Sequence, residues 1–349
     1  GCNESHILSL TYNDSSQNII INGKKLKKGD IIDISVKDYL NLGNRKKHHL
    51  KQYSTGVEFQ ENKTIIPPYL LGLWLGDGSH KENKIFNTDE EVFEYGEEVA
   101  NEIGLKYKKT IPKTRCEFMS FIGTKGKSFT TLLRKYNLFG NKHIPEDFLI
   151  NSKQNRLELL AGLIDSDGYL TPSGCFEITL TDKELSNQIQ DLILSIGIRC
   201  SLNLKKVSMK RKDGSVYKTN GYRLIFSDSC NQIPTKIKRK ISNNKPNKNQ
   251  LNTGFKLIDK GLGEYYGFEI DGNHRFVLGN YIVTHNTQTT KKIVNVLHSL
   301  GKNVILAAPT GRASQRMTEL IGSEASTVHR LLAWDHLNGG FLKNEANPI

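Results

Sequence analysis

Two short apolar stretches in this chain close on the same acid-glycine ending. They read Tyr69-Leu70-Leu71-Gly72-Leu73-Trp74-Leu75-Gly76-Asp77-Gly78 and Leu159-Leu160-Ala161-Gly162-Leu163-Ile164-Asp165-Ser166-Asp167-Gly168. Pro67-Pro68 lead into the first, and proline suits a helix's first turn as glycine suits a left-handed cap past its end. The repetition runs on: Thr88-Asp89 returns as Thr181-Asp182, and Ile103-Gly104-Leu105 as Ile196-Gly197-Ile198. Between these anchors Val92, Val99 and Ile103 match Leu185, Leu192 and Ile196, the apolar stripe of an amphipathic helix. Each copy continues into predicted strands, Lys106–Ile111 with Glu117–Ile122 and Ser201–Met209 with Tyr222–Phe226. The chain therefore holds a tandem α/β duplication of about 90 residues per copy. Gly72 and Gly76 lie four apart on one helix, and Gly162 and Ser166 take the same places on the other. Small residues at that spacing let two helices pack backbone to backbone, which sets Asp77 beside Asp167.

Adjacent carboxylates repel unless a cation lies between them. Oxygen-only ligands select Mg²⁺, which could activate a water and stabilise the leaving oxygen of a phosphodiester. The formal charge of +13 points to a polyanion. Its excess falls between Lys205 and Lys248, including Lys210-Arg211-Lys212 and Lys236-Ile237-Lys238-Arg239-Lys240. Nucleic acid is favoured over membrane, since no amphipathic lipid-binding helix accompanies the charge. No apolar run approaches the roughly 20 residues of a membrane span, and no secretory signal is expected before the first domain. The five cysteines are scattered without metal-ligand spacing, as expected for free thiols in a cytoplasmic location.

Residues 60–250, through Leu160–Gly168 above all, resemble the LAGLIDADG homing endonucleases. The resemblance implies an α+β pseudo-twofold domain, αββαββα twice, whose sheets saddle the major groove of double-stranded DNA. It implies that Asp77 and Asp167 are catalytic and hold Mg²⁺, and that Lys142, in Lys142-His143-Ile144-Pro145, is a catalytic lysine. A second lysine is implied for the other copy, with Lys218, Lys236 and Lys238 as candidates. Asp165, whose counterpart is Leu75, reads as structural.

The C-terminal part carries a second chemistry. Asn286 can attack its own carbonyl through its side-chain amide and break the bond to Thr287. A departing nitrogen needs a proton, which His285 or His274 could give, and Thr287 supplies a hydroxyl nucleophile. The surrounding blocks, Tyr266-Gly267-Phe268-Glu269-Ile270 … His274-Arg275-Phe276-Val277-Leu278 and Tyr281–Thr287, resemble the C-terminal splicing blocks of inteins. Asn3-Glu4-Ser5-His6-Ile7-Leu8-Ser9-Leu10 is similar to their N-terminal histidine block, which implies that His6 polarises an upstream scissile bond. Gly267 stands where that family often has an acid. The opening block with its nucleophile is missing, and Cys2 is too near His6 to serve, so a truncated sequence able to cleave only at Asn286 is expected.

From Thr287 onward the chain resembles RecD-type DNA helicases. Thr287-Gln288-Thr289-Thr290-Lys291-Lys292 would continue a phosphate-binding loop, with Thr287 ligating the Mg²⁺ of ATP. Pro309-Thr310-Gly311-Arg312 would be a polar loop contacting single-stranded DNA. A helix is expected from about Thr289 to Leu300 and a strand over Asn303–Ala308. The fold class is thus mixed, in four parts. Residues 1–60 and 251–286 form an all-β Hint-type splicing domain; 61–250 form the endonuclease; 287–349 form an α/β P-loop helicase fragment. Short strands are expected at Ile7–Leu10, Ile19–Ile21, Ile31–Val36, Phe255–Ile258, Tyr265–Ile270, Arg275–Leu278 and Tyr281–Thr284. The DNA target would be long and asymmetric, drawn from the uninterrupted helicase gene. The alternative is a free-standing nuclease or maturase joined to an ATPase fragment without splicing.

Overall fold

The computed structural model describes residues 2–347 other than 17, 114–115, 125, 211–213, 228, 244–248, 262, 264–269, 271, 287–296, 336–339 and 344–346. The chain begins with β1 (Ile7–Tyr12), β2 (Ile19–Ile21), β3 (Lys24–Leu26) and β4 (Ile31–Ser35), then α1 (Val36–Leu40), α2 (Asn44–His49) and β5 (Leu50–Tyr53). Asn22 and Gly23 both take positive φ, 48° and 76°, as a two-residue turn between β2 and β3 demands. The main sheet is antiparallel and runs β5, β1, β4, with the late strand Asn252–Thr253 added beside β5. Leu8, Leu10, Tyr12, Ile32, Ile34 and Leu50 form its core, and Phe255 and Leu257 pack against them. The chain thus leaves this sheet after Tyr53 and comes back to it at Asn252. Phe255–Ile258 forms no strand, contrary to its apolar pattern; Phe255 is held by packing instead, its ring stacked on Tyr39 at 5.2 Å. Most of Tyr265–Ile270 lies outside the described residues.

The intervening body follows the duplication. Its first copy contains α3 (Pro68–Asp77), β6 (Ile85–Phe86), α4 (Glu90–Glu102), β7 (Lys106–Thr110), β8 (Phe118–Ile122), α5 (Phe129–Lys135) and α6 (Glu146–Leu149). The second contains α7 (Lys153–Asp167), β9 (Gly168–Leu170), β10 (Phe176–Leu180), α8 (Lys183–Ser195), β11 (Cys200–Lys210) and β12 (Val216–Phe226). The sheets are β6-β8-β7 and β11-β12-β10-β9. In the first copy an isolated Gly78–Ile85 bridge stands where the second has β9. One buried core, from Ile66 to Ile237, runs through both copies.

Helices α3 and α7 cross at the centre with almost no space between their backbones. A Cβ on Gly72 would overlap the carbonyl oxygen of Leu159 and lie 2.8 Å from Leu163 N. One on Gly162 would overlap the carbonyl of Tyr69. The terminal glycines differ from expectation. Gly78 and Gly168 have φ of −73° and −82°, extended rather than left-handed. Glycine is needed there for room: a Cβ would run into the Trp74 carbonyl at one site and sit 2.6 Å from Ile164 Cα at the other.

Towards the C-terminus, Arg275–Val277 pairs antiparallel with Val283–His285. Leu306–Ala308 then runs parallel to Ala325–Thr327, shorter than the expected strand from Asn303. The segment Pro309–Arg312 is not wholly loop: the Thr310 hydroxyl accepts from Ala313 N at 3.3 Å and starts a helix, Gly311–Ile321. The helix expected from about Thr289 falls mostly outside the described residues. Among the described residues no helix is long and apolar enough to cross a membrane.

Candidate functional site

Asp77 and Asp167 end α3 and α7, so the glycine crossing brings both carboxyls to one end of the helix pair. Burial, then the Asp167 charge, pushes the Asp77 carboxyl up to about 6. Burial also raises Asp167, opposed by Lys142 and Lys240. Asn87, 7% exposed, donates from Nδ2 to Asp77 Oδ2 at 3.3 Å. Its Oδ1 is fixed by the backbone N–H groups of Thr88 and Asp89 at 2.8 and 2.9 Å, which leaves the amide facing the acid. Nothing in the repeat pattern singles Asn87 out.

Each acid has a lysine near it, Lys142 half-buried and Lys240 buried. Lys142 Nζ donates to the Gly76 carbonyl at 2.7 Å. Lys240, 7% exposed, donates to the carbonyls of Ile164 (2.7 Å), Asp165 (3.0 Å) and Ser166 (3.4 Å). Gly76 and Ser166 are matched positions of the two copies, so Lys142 and Lys240 stand in a pseudo-twofold relation. Burial lowers the pKa of both ammonium groups. None of the three lysines expected for the second copy takes this place. Lys218 sits far along the β11–β12 hairpin, opposite Ser208. Lys236 lies over the rings of Tyr69 and Tyr95 at 5.1 and 4.7 Å. Lys238 is exposed, with its backbone N–H 3.5 Å from Glu91 Oε1. Lys142 stands two residues before Ile144 whereas Lys240 directly precedes Ile241, so a search by fixed spacing passes over it. Asp165, 1% exposed, accepts from the Tyr69 hydroxyl and from Lys236 N, both at 2.6 Å. It braces α7 against α3 and the lysine-bearing segment.

The donor set fits a hard divalent cation. Two carboxylates whose charged forms are disfavoured by burial, one of them also by its neighbour, would be relieved by one. Among the described residues no group of three or more His, Cys, Asp or Glu is placed so that it could hold a metal ion. A cation here would therefore rest on Asp77 and Asp167 and keep much of its shell as water or phosphate oxygen, which Mg²⁺ tolerates.

The basic run does not form one uniform patch. Lys205 and Lys206 are exposed on β11, while Arg239 is spent on Asp89 through contacts of 2.7 and 2.6 Å and Lys240 is buried. Lys210-Arg211-Lys212 falls largely outside the described residues.

A second constellation lies at the paired strands Arg275–Val277 and Val283–His285. The register sets Arg275 opposite His285 and Phe276 opposite Thr284. His274 has φ 57°, and its ring centroid is 5.7 Å from that of His285. Asn286 N donates to the His274 carbonyl at 2.7 Å. The buried Nδ1 of His285 has no hydrogen-bond partner, and burial lowers the pKa of the ring. His6 Nε2 is 3.4 Å from Thr284 Oγ1 across 278 residues of sequence. Arg275 ties the hairpin to β4 through Asp33 Oδ2 at 2.6 Å. His6, His274, His285 and Asn286 are thus gathered; Thr287 and Gly267 lie outside the described residues.

Comparison with known proteins follows these divisions. Residues 143–245 match the homing endonuclease family model, and residues 284–349 match that of an AAA domain. The replicative DNA helicase DnaB of Mycobacterium intracellulare is 31% identical over 183 residues, 52% of this chain and 27% of that protein. The ATP-dependent RecD2 DNA helicase of Deinococcus radiodurans is 40% identical over 96 residues, 27% of this chain and 13% of that protein. The iron-sulfur cluster assembly SufBD family protein ML0593 of Mycobacterium leprae is 26% identical over 254 residues, 63% and 28%. The chain thus spans about a quarter or less of the relatives it matches. A solved structure of I-DmoI in complex with DNA and Mn aligns with 47% of this chain and 89% of its own. At 19% identity and a TM-score of 0.33 that likeness is slight. The chain carries a homing endonuclease domain and helicase-related AAA sequence.

Proposed function

We propose that residues 1–286 are a self-excising protein element of the intein class, that 61–250 are its DNA endonuclease, and that 287–349 belong to an interrupted RecD-type helicase. The observation that carries the splicing part is the meeting of His6 with the hairpin that presents His285 and Asn286, across 278 residues. An ordinary insertion would have no need to place two histidines beside an asparagine at the edge of the unit it interrupts. The relatives support the same reading. DnaB and the SufBD protein have different names and roles, yet their matched shares of 52% and 63% must overlap on this chain. A stretch shared by unrelated proteins is what a mobile insert leaves.

In the cleavage step the Asn286 side-chain nitrogen attacks its own carbonyl carbon, a succinimide closes, and the bond to Thr287 breaks. His285, the residue before Asn286 and the end of the strand that pairs with Arg275–Val277, passes a proton to the leaving nitrogen. The His274 carbonyl holds the Asn286 N–H and so orients the residue. Thr287 is the acyl acceptor in splicing and would afterwards ligate the Mg²⁺ of the ATP loop.

In the endonuclease, Asp77 and Asp167 would hold a divalent cation, Mg²⁺ by donor type, which would supply an activated water and charge neutralisation at the phosphodiester. Asn87 orients Asp77. Lys142 and Lys240 fix the carbonyls behind the acids and place positive charge where negative charge develops. The substrate is double-stranded DNA of the uninterrupted helicase gene, met in the cytoplasm; single-stranded DNA is the spliced helicase's partner.

Two assays test this separately. Incubation of the chain with DNA spanning the uninterrupted gene and Mg²⁺ should cut both strands, and Asp77→Asn or Asp167→Asn should abolish cutting. Splicing is tested by expression of the complete gene: Asn286→Ala should leave unspliced precursor where the wild type gives two products. Precursor alone from both genes would refute it.

A further inference from the structure

The two copies hold their lysines by different means. Lys240 gives its ammonium to the carbonyls of Ile164, Asp165 and Ser166. Lys142 donates to the Gly76 carbonyl at 2.7 Å, although an ammonium has three N–H groups to place. A ring stands in for the other acceptors. Lys142 Nζ lies 5.5 Å from the centroid of Trp74, within the range at which an indole face attracts a cation. Asp77 and Asp167 correspond, so the position that matches Trp74 in the second copy is Ile164.

Packing alone does not select a tryptophan there. Trp74 is fully buried, and its indole Nε1 has no hydrogen-bond partner among the described residues, which disfavours an indole in a core. The second copy fills the same place of the helix crossing with the aliphatic Ile164, also fully buried. Gly78 makes room for the ring as well as for the carbonyl: a Cβ there would run into Trp74 Cδ1 and lie 2.6 Å from Cγ. Trp74 precedes Asp77 by three residues on α3, and residues so spaced are neighbours on a helix surface. The face of the ring, rather than its N–H, is what the site uses.

We propose that Trp74 is a positioning residue for DNA cutting, whose indole face holds the Lys142 ammonium on the Gly76 carbonyl, next to Asp77. It acts through the lysine and is itself shut off from solvent. This rests on the endonuclease reading above. Without the ring, one hydrogen bond would have to fix a flexible aliphatic stem, and the positive charge would spend its time away from the phosphodiester. The second copy needs no ring, because its lysine is fixed by several carbonyls at once.

The test compares the full chain as wild type, Trp74→Phe and Trp74→Leu, each with its urea transition, for single-turnover cutting of target DNA in Mg²⁺. Positioning predicts a fall of roughly tenfold or more for Trp74→Leu. It predicts a fall of no more than about threefold for Trp74→Phe, which keeps a cation-attracting face. A packing role predicts that both variants lose cutting in step with their urea midpoints. That outcome, or cutting by Trp74→Leu within about threefold of wild type, overturns the proposal. If Trp74→Leu shows no cooperative transition, Trp74→Met, a flexible filler of the same space, carries the same prediction. The contact also has a readout without metal or DNA. Trp74 and Trp334 are the two tryptophans of the chain, so with Trp334→Phe throughout, fluorescence reports Trp74 alone. Lys142→Met should change that emission and Lys240→Met should leave it unchanged; no response to Lys142→Met, or an equal response to both, overturns the proposal. Absence of cutting by the wild type would sink the endonuclease reading itself, and the proposal with it, whatever the emission shows.

Discussion

Asp77 keeps its proton up to about pH 6 in the folded chain, against an ordinary value of 3.8. The folded state therefore binds more protons than the unfolded one between those values and loses stability as pH rises through that window. Asp77→Asn removes the charged form. Without divalent cation it should stabilise the protein by roughly 1–3 kcal/mol near pH 7 and by nothing near pH 3, as thermal midpoints at the two pH values will show. Lys240→Met should act in the opposite direction. It strands the Ile164 and Asp165 carbonyls, at about 1–3 kcal/mol, and DNA cutting in Mg²⁺ should fall by about 10² or more. At this scale Lys142 was an expectation from the family resemblance carried by its Ile144-Pro145 context, whereas the acids were readable because a repeat with a fixed ending marks its own chemistry. Lys240 and Asn87 were not: a lysine in a basic run shows no burial, and an asparagine before Thr88 shows no aim.

Between elements, the decisive contact is the crossing of α3 and α7. Gly162→Ala would force a methyl into the Tyr69 carbonyl, where only backbone movement could make room. A loss of about 3 kcal/mol or more is expected, seen as a lower urea midpoint with little change in slope. Ser166→Ala, which shortens a side chain already bonded to its own helix at Gly162 O, should change stability by less than about 1 kcal/mol. The small-residue spacing announced this crossing, whereas the reason for the glycines after the acids lay in packing that no local rule carries. Phe255–Ile258 shows the same limit. Its apolar pattern suits a strand, but Phe255 is satisfied by the face of Tyr39 rather than by a ladder.

For the molecule as a whole, the central claim is that one sheet has been opened and an endonuclease set into it. The chain leaves after Tyr53 and returns to pair Asn252 with Tyr53 and Thr253 with Gln52, while Arg275 reaches back to Asp33. Composition and rhythm marked the change of style at both edges in the sequence; the meeting of His6 with Thr284 needed the structure. If His285 delivers the proton, cleavage should quicken as pH falls from about 8 to about 6. The most direct measurement is the intact mass of the 349-residue chain after incubation at neutral pH. The account predicts two products: a segment starting at Thr287, and a partner ending at Asn286 that is lighter by one water than the free acid, the signature of a succinimide. Both should vanish in Asn286→Ala while DNA cutting persists. A chain that stays whole, or that breaks at this bond equally well with alanine at 286, would contradict it.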